Sequence, residues 1–207
     1  MKTRNIIASL FLLFATQVLT AQNSADVLVR GIVEQLRKHK NLEMQFSYQI
    51  SPDGKNFDNS QKGKGWLQGE AYKIEMADQQ TISDGNTIWL YLIDEEEVMV
   101  SNATEGEDNT PLKLLTSLDQ NYAATIAKID EKGMATIELA NPKGQYKRIT
   151  LKINTKTTEI KSIDIYLEDG SKAVLTVEEM KFDQDLDEKF FTFDAKAHPD
   201  VEVIDMR

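Results

Sequence analysis

Two histidines, His39 and His198, and no cysteine leave this chain little equipment for nucleophilic, metal or redox chemistry. His39 closes a helical stretch and His198 precedes Pro199; neither has the spacing that assembles a metal site, and both read as surface residues. No Gly-x-Ser-x-Gly elbow and no phosphate-cradling glycine loop occurs. Acids gather at Glu95-Glu96-Glu97, at Glu105, Glu107 and Asp108, and around Asp53, Asn56 and Asp58. They lack the ligand spacing of a calcium loop and read as solvated turns. The expectation is therefore no catalytic residue, no metal, no cofactor and no enzymatic activity.

The apolar residues carry more information. Thr87 to Ile93 reads Thr-Ile-Trp-Leu-Tyr-Leu-Ile, apolar on both faces of one strand, so both faces need cover, which two helices can supply. One reading is an ordinary core beneath those helices. The other is a sheet curled around a ligand space, with Met44, Phe46, Tyr48, Trp66, Tyr72, Ile74, Met76, Trp89 and Tyr91 as candidate lining.

The elements that must position these residues follow from periodicity. Residues 24–40 repeat at helical spacing, with Val29, Val33 and Leu36 on one face and Leu28 and Ile32 widening it; Asn23 or Ser24 caps the start, and Arg37, Lys38 and Lys40 suit the end of the helix dipole. From Leu42 the period becomes two, with Leu42, Met44, Phe46, Tyr48 and Ile50 alternating with polar residues. Further strands read at about 60–68, 71–76, 87–93 and 98–102. A short apolar helix follows at 111–118, capped by Thr110, begun by Pro111 and carrying Leu112, Leu114, Leu115 and Leu118. Strands resume at about 123–129, 135–140, 145–153, 160–167 and 172–182. In the last of these the apolar parity shifts between Val177 and Met180, which predicts a β-bulge near Glu178-Glu179. Regular strands without long intervening helices predict a mainly β fold with some α: one strongly curved antiparallel sheet whose concave side the two helices cover.

Lys2 and Arg4 precede an apolar run from Ile6 to Leu19, too short to span a bilayer, and Ala21 then meets Gln22. This predicts a cleavable export leader at residues 1–21 and one domain over 22–207. Losing Lys2 and Arg4 makes the formal charge two units more negative than the −10 of the whole chain. Such a surface repels phosphate backbones, so nucleic acid is not an expected partner. The absence of cysteine also removes the attachment point for a lipid anchor, and a soluble monomer is expected.

In this order the segments resemble the periplasmic carrier of outer-membrane lipoproteins in the Lol sorting system, the LolA-like family. The strongest likeness is Ile82-Ser83-Asp84-Gly85-Asn86-Thr87-Ile88-Trp89-Leu90-Tyr91, followed by Asn109-Thr110-Pro111-Leu112 with the leucines after it. Leu42 to Ile50, Gly65-Trp66-Leu67, Phe191-Thr192-Phe193, His198-Pro199 and Val201 to Asp205 add to it. The resemblance implies an unclosed β-barrel with a concave apolar face, a lid at Pro111, Leu112, Leu114, Leu115 and Leu118, and acylated lipoproteins as cargo in the periplasm of a Gram-negative bacterium. It also implies an inner-membrane ATP-driven release complex and an outer-membrane acceptor as partners. In one place the chain departs from the family: where many members place an arginine that hydrogen-bonds the lid, it reads Gln68-Gly69-Glu70. Two other readings stay open, a binder or sensor of another exported lipid on the same fold and a non-catalytic structural β-domain.

Overall fold

The computed structural model describes residues 24–103, 110–120, 122–141, 146 and 148–207. The expected leader at 1–21, the cap candidate Asn23 and the acidic group Glu105, Glu107 and Asp108 lie outside these residues.

Helix α1 runs over residues 24–38, slightly shorter than the periodicity predicts. Its stripe recurs at i, i+4, i+7 and i+8, and Ala25, Val29, Ile32 and Val33 are buried while Leu28 and Leu36 flank them half-buried. Each large apolar side chain removed from water contributes about 1.5–3 kcal/mol, so this stripe seats the helix on the sheet. Asp26 adds a polar tie, accepting a hydrogen bond from the Ala124 N–H at 3.1 Å.

The strands are β1 (Leu42–Ser51), β2 (Gln61–Gln68), β3 (Ala71–Glu75), β4 (Gln79–Ser83), β5 (Thr87–Leu92) and β6 (Glu97–Asn102), then β7 (Ala123–Ile129), β8 (Met134–Ala140), β9 (Arg148–Asn154), β10 (Ile160–Tyr166), β11 (Lys172–Phe182) and β12 (Glu202–Asp205). Among the described residues they form one unclosed sheet in the order β12-β6-β5-β4-β3-β2-β1-β11-β10-β9-β8-β7. Pairing is antiparallel except where β12 lies parallel to β6. The β1–β11 seam joins the two meanders. In that seam Gln45 faces Glu179 while Phe46 faces Val177, leaving Glu178 as the extra residue of a bulge. The bulge lies where the parity shift placed it, and the extra residue bends and twists the sheet there.

The turn before β5 is built by its own side chains. Asp84 Oδ1 accepts from the N–H groups of Asn86 and Thr87, both at 2.8 Å. Gly85 between them has φ +94°, a conformation that a side chain would disfavour.

Two strands escaped the periodicity. β4 is Gln-Gln-Thr-Ile-Ser, with a single large apolar residue, and β12 is held by its pairing with β6. The helix expected at 111–118 is also shorter: α2 spans Pro111–Leu114, with the Thr110 side chain accepting from Lys113 N. Beyond it the backbone tightens to bonds from Thr116 N to Lys113 O and from Ser117 N to Leu114 O. The Thr116 and Ser117 hydroxyls donate to the same two carbonyls, at 3.0 and 3.2 Å, and so compete with helical bonding.

Candidate ligand-binding cavity

Strand register decides which apolar residues share a face. On β1, Met44, Phe46 and Tyr48 stand opposite Gly65, Gly63 and Gln61 of β2, while Glu43 stands opposite Trp66. The first set faces the concave side. There it lines a cavity of about 490 Å³ together with Ile74 and Met76. Ile50 and Leu175 extend the apolar wall, and Gln61, Asp78, Gln79, Thr81 and Thr110 give it a polar border.

Two glycines make the space. A Cβ at Gly63 would meet Met76 Sδ and the Phe46 ring, and a Cβ at Gly65 would stand 3.3 Å from Leu112 Cδ2. Bare backbone at these positions lets Phe46 and Met76 lie across β2 and lets Leu112 of α2 rest on it as a roof. Leu112 is also the α2 leucine that borders the cavity. Leu115 and Leu118 are buried in the common core with α1, and Leu114 is buried beside a separate, polar cleft of about 720 Å³. All four leucines thus belong to the buried core, and of the four Leu112 alone also borders the cavity. Nothing is assigned to the Pro111 side chain beyond its place in the first turn.

Three expected cavity residues belong to the other face. Trp66 pairs with Glu43, Trp89 stands between Ile82 and Val100, and Tyr91 stands opposite Val98, so all three point to the convex side. The C-terminal segment covers Trp66 and Tyr91, in place of the two helices expected as cover for the doubly apolar β5. Phe190 meets the Trp66 ring edge-on at 5.1 Å, and Phe193 and His198 lie 5.4 and 5.2 Å from the Tyr91 ring. Tyr72 does face inward, but it is buried in the core and is not among the residues that line the cavity.

The convex face also holds a buried carboxylate. Burial pushes the Glu43 carboxyl up, but hydrogen bonds from Lys64 and Trp66, with the charges of Lys64 and Lys181, outweigh it and hold the group below its ordinary value. Trp66 Nε1 donates to Glu43 at 3.0 Å and Lys64 Nζ lies 3.1 Å from it.

α2 and the segment after it are each tied down. Arg37, on the last turn of α1, donates to both Asp119 oxygens and to the Thr116 carbonyl, while Lys113 pairs with Glu70 at 3.1 Å. Glu70 is the residue at the end of the Gln68-Gly69-Glu70 departure. Arg37 was legible only as a charge suited to a helix end.

His39 stacks on Phe182 at 4.1 Å and bonds Asp183 at 2.8 Å, which ties the end of α1 to the end of β11. Among the described residues no three His, Cys, Asp or Glu side chains gather as a metal site.

The family model described as outer membrane lipoprotein carrier protein LolA matches residues 37–194. The chain belongs to this family. The matched span takes in β1 to β11, α2 and the turn that covers Trp66. Among curated relatives, an outer-membrane lipoprotein carrier protein from Psychromonas ingrahamii is 29% identical over 128 residues, covering 60% of this chain and 61% of the relative. One of the same name from Chromohalobacter salexigens is 26% identical over 129 residues, covering 59% of this chain and 60% of the relative. The match thus spans about three fifths of each relative's length. A conserved protein from Thermus thermophilus has a similar fold, with a TM-score of 0.54 at 13% identity, over 85% of this chain and 98% of the other. In this chain Asp84 and Gly85 build the hairpin before β5, and Trp89 and Tyr91 face the convex side, where the C-terminal segment covers Tyr91.

Proposed function

We propose that this LolA-family protein is a non-catalytic periplasmic carrier, exported by a cleaved leader, that binds the acyl chains of lipoproteins and moves them from the inner to the outer membrane. The observation that carries the reading is an apolar cavity on the concave face, walled by Met44, Phe46, Ile74 and Met76 and roofed by a single leucine side chain resting on glycine backbone. Methionines are flexible and polarizable, which suits a ligand without a fixed shape. An inner-membrane ATP-driven release complex and an outer-membrane acceptor are the partners this function needs.

Acyl burial supplies about 0.8 kcal/mol per methylene, so a carrier that gave nothing back could not deliver its cargo. In this reading, lifting Leu112 off Gly65 and parting the Arg37 and Glu70 contacts offsets part of that gain, which leaves the empty protein closed and the loaded one open. Mass spectrometry of the protein isolated gently from its own periplasm tests the proposal. Co-purified acylated peptides are the expected result; a free glycolipid in their place, or no acylated species, would overturn it.

A further inference from the structure

One end of the concave face carries three phenols. Ala123, Ala140, Arg148, Tyr166, Lys172 and Ser51 form a single row across β7, β8, β9, β10, β11 and β1, which marks that rim of the sheet. Tyr122 and Tyr146 lie just outside the row, before β7 and β9, and Tyr48 lies just inside it on β1. Tyr48 borders the apolar cavity, Tyr122 borders a smaller pocket beside α1, and Tyr146 is buried close enough to feel both. Burial pushes all three phenols above their ordinary value, so they stay neutral hydroxyls across physiological pH.

The charge of the cavity is equally specific. Among its described lining residues the one charged group is an acid, Asp78, and the remaining border groups, Gln61, Gln79, Thr81 and Thr110, are neutral. A carboxylate or phosphate head entering here would leave water without a cation to meet it, and would face Asp78. A neutral carbonyl suffers neither penalty. It is an acceptor with no proton of its own, and a phenol hydroxyl supplies the matching donor.

We propose that the cavity selects acyl chains whose carbonyl is held in an ester or amide, with Tyr48 as the hydroxyl that receives that carbonyl and Asp78 as the group that rejects free fatty acids and phospholipid heads. The inference rests on the acyl-binding reading above and adds the chemistry of the head group to it. Tyr48 and Asp78 are thus specificity determinants lining one apolar space.

The test uses the purified full protein and three probes that each carry one chain of the same length, a palmitoyl ester of an S-(2-hydroxyethyl)cysteine peptide, its ether-linked analogue and palmitate, each titrated against a bound fluorescent dye. The wild type should bind the ester probe at least about tenfold more tightly than palmitate. Tyr48→Phe should shrink the preference for ester over ether by about threefold to tenfold, the range expected for one neutral hydrogen bond. Asp78→Lys, at an exposed position that does not endanger folding, should raise palmitate affinity and narrow its gap to the ester. Equal binding of palmitate and ester by the wild type, or an ester-to-ether ratio that Tyr48→Phe leaves in place, overturns the selectivity while the acyl-binding reading stands. Failure of all three probes to bind overturns both.

Discussion

Arg37 at the end of α1 grips Asp119 through both terminal guanidinium nitrogens, each 2.9 Å from a different carboxylate oxygen. The same guanidinium also donates to the Thr116 carbonyl at 2.6 Å. This fork fastens the segment that follows α2 to the first helix. Arg37 is 40% exposed, which discounts the pair, but bidentate geometry restores part of its strength. Arg37→Ala should cost about 1 kcal/mol and speed amide exchange over residues 113–119 more than over β8 to β10. Arg37→Lys should recover little, because an ammonium cannot span both oxygens. Hydrogen-exchange mass spectrometry with thermal melts reads both effects; uniform exchange changes would show that the fork does not hold this segment.

The two glycines of β2 should respond differently to a methyl group. At Gly63 the new Cβ meets Met76 Sδ and the Phe46 ring at about 2.5 Å, so Gly63→Ala should overpack the cavity wall and cost about 1–3 kcal/mol. At Gly65 the contact is with the far end of Leu112 at 3.3 Å, and Gly65→Ala should cost less. Paired denaturant titrations compare them, and Gly65→Ala proving the more damaging would mean that α2 is more rigidly seated than its contacts indicate.

Leu112 and Leu115 separate roof from core. Leu115 is fully buried within the core, so Leu115→Asp should bury an unpaired charge and abolish cooperative melting. Leu112→Ala widens a wall of an existing cavity; it should retain a cooperative melt at a loss of about 2–3 kcal/mol and alter uptake of an apolar fluorescent dye. An unchanged melt for Leu115→Asp would contradict its placement in the core.

Acid should weaken the protein through Glu43. Its carboxyl titrates below the ordinary 4.5 in the folded chain because Lys64, Trp66 and Lys181 favour the charged form over the opposing effect of burial. The stabilisation is therefore complete above about pH 4.5, where the unfolded group is ionised, and is lost as pH falls through the lower folded value. Glu43→Gln should flatten this acid limb, measured as melting temperature between neutral pH and about pH 3. An equally steep limb in the variant would assign the acid sensitivity to other carboxylates.

The alternation in β1, the cap formed by Thr110 with Pro111 after it, the bulge at Glu178 and the buried stripe of α1 were all legible in the sequence. Each depends on contacts within a few residues along the chain, or on a period that one buried face imposes. That each strand has an apolar face followed from the same periods. Within the site, Met44, Phe46, Tyr48, Ile74 and Met76 come together as one wall because they alternate correctly on neighbouring strands.

A period of two sorts the residues of a strand into two faces without saying which face is concave. Trp66, Trp89 and Tyr91 fell on the wrong side for that reason: inter-strand register put Trp66 opposite Glu43 instead of Met44, and only the chain after β11 shows that aromatic side chains on the convex face have a cover of their own. β4 carries too few apolar residues to announce itself and forms because β3 and β5 supply partners on both sides. Arg37 and Asp119 lie far apart in the chain, and no local pattern links them. The sequence by itself determined every strand but β4 and β12, the two amphipathic helical stretches and the family likeness. Tertiary structure decided which stripe walls the cavity, which leucine roofs it and what fastens that roof, because those outcomes rest on pairing between distant segments, whose energies no local period encodes.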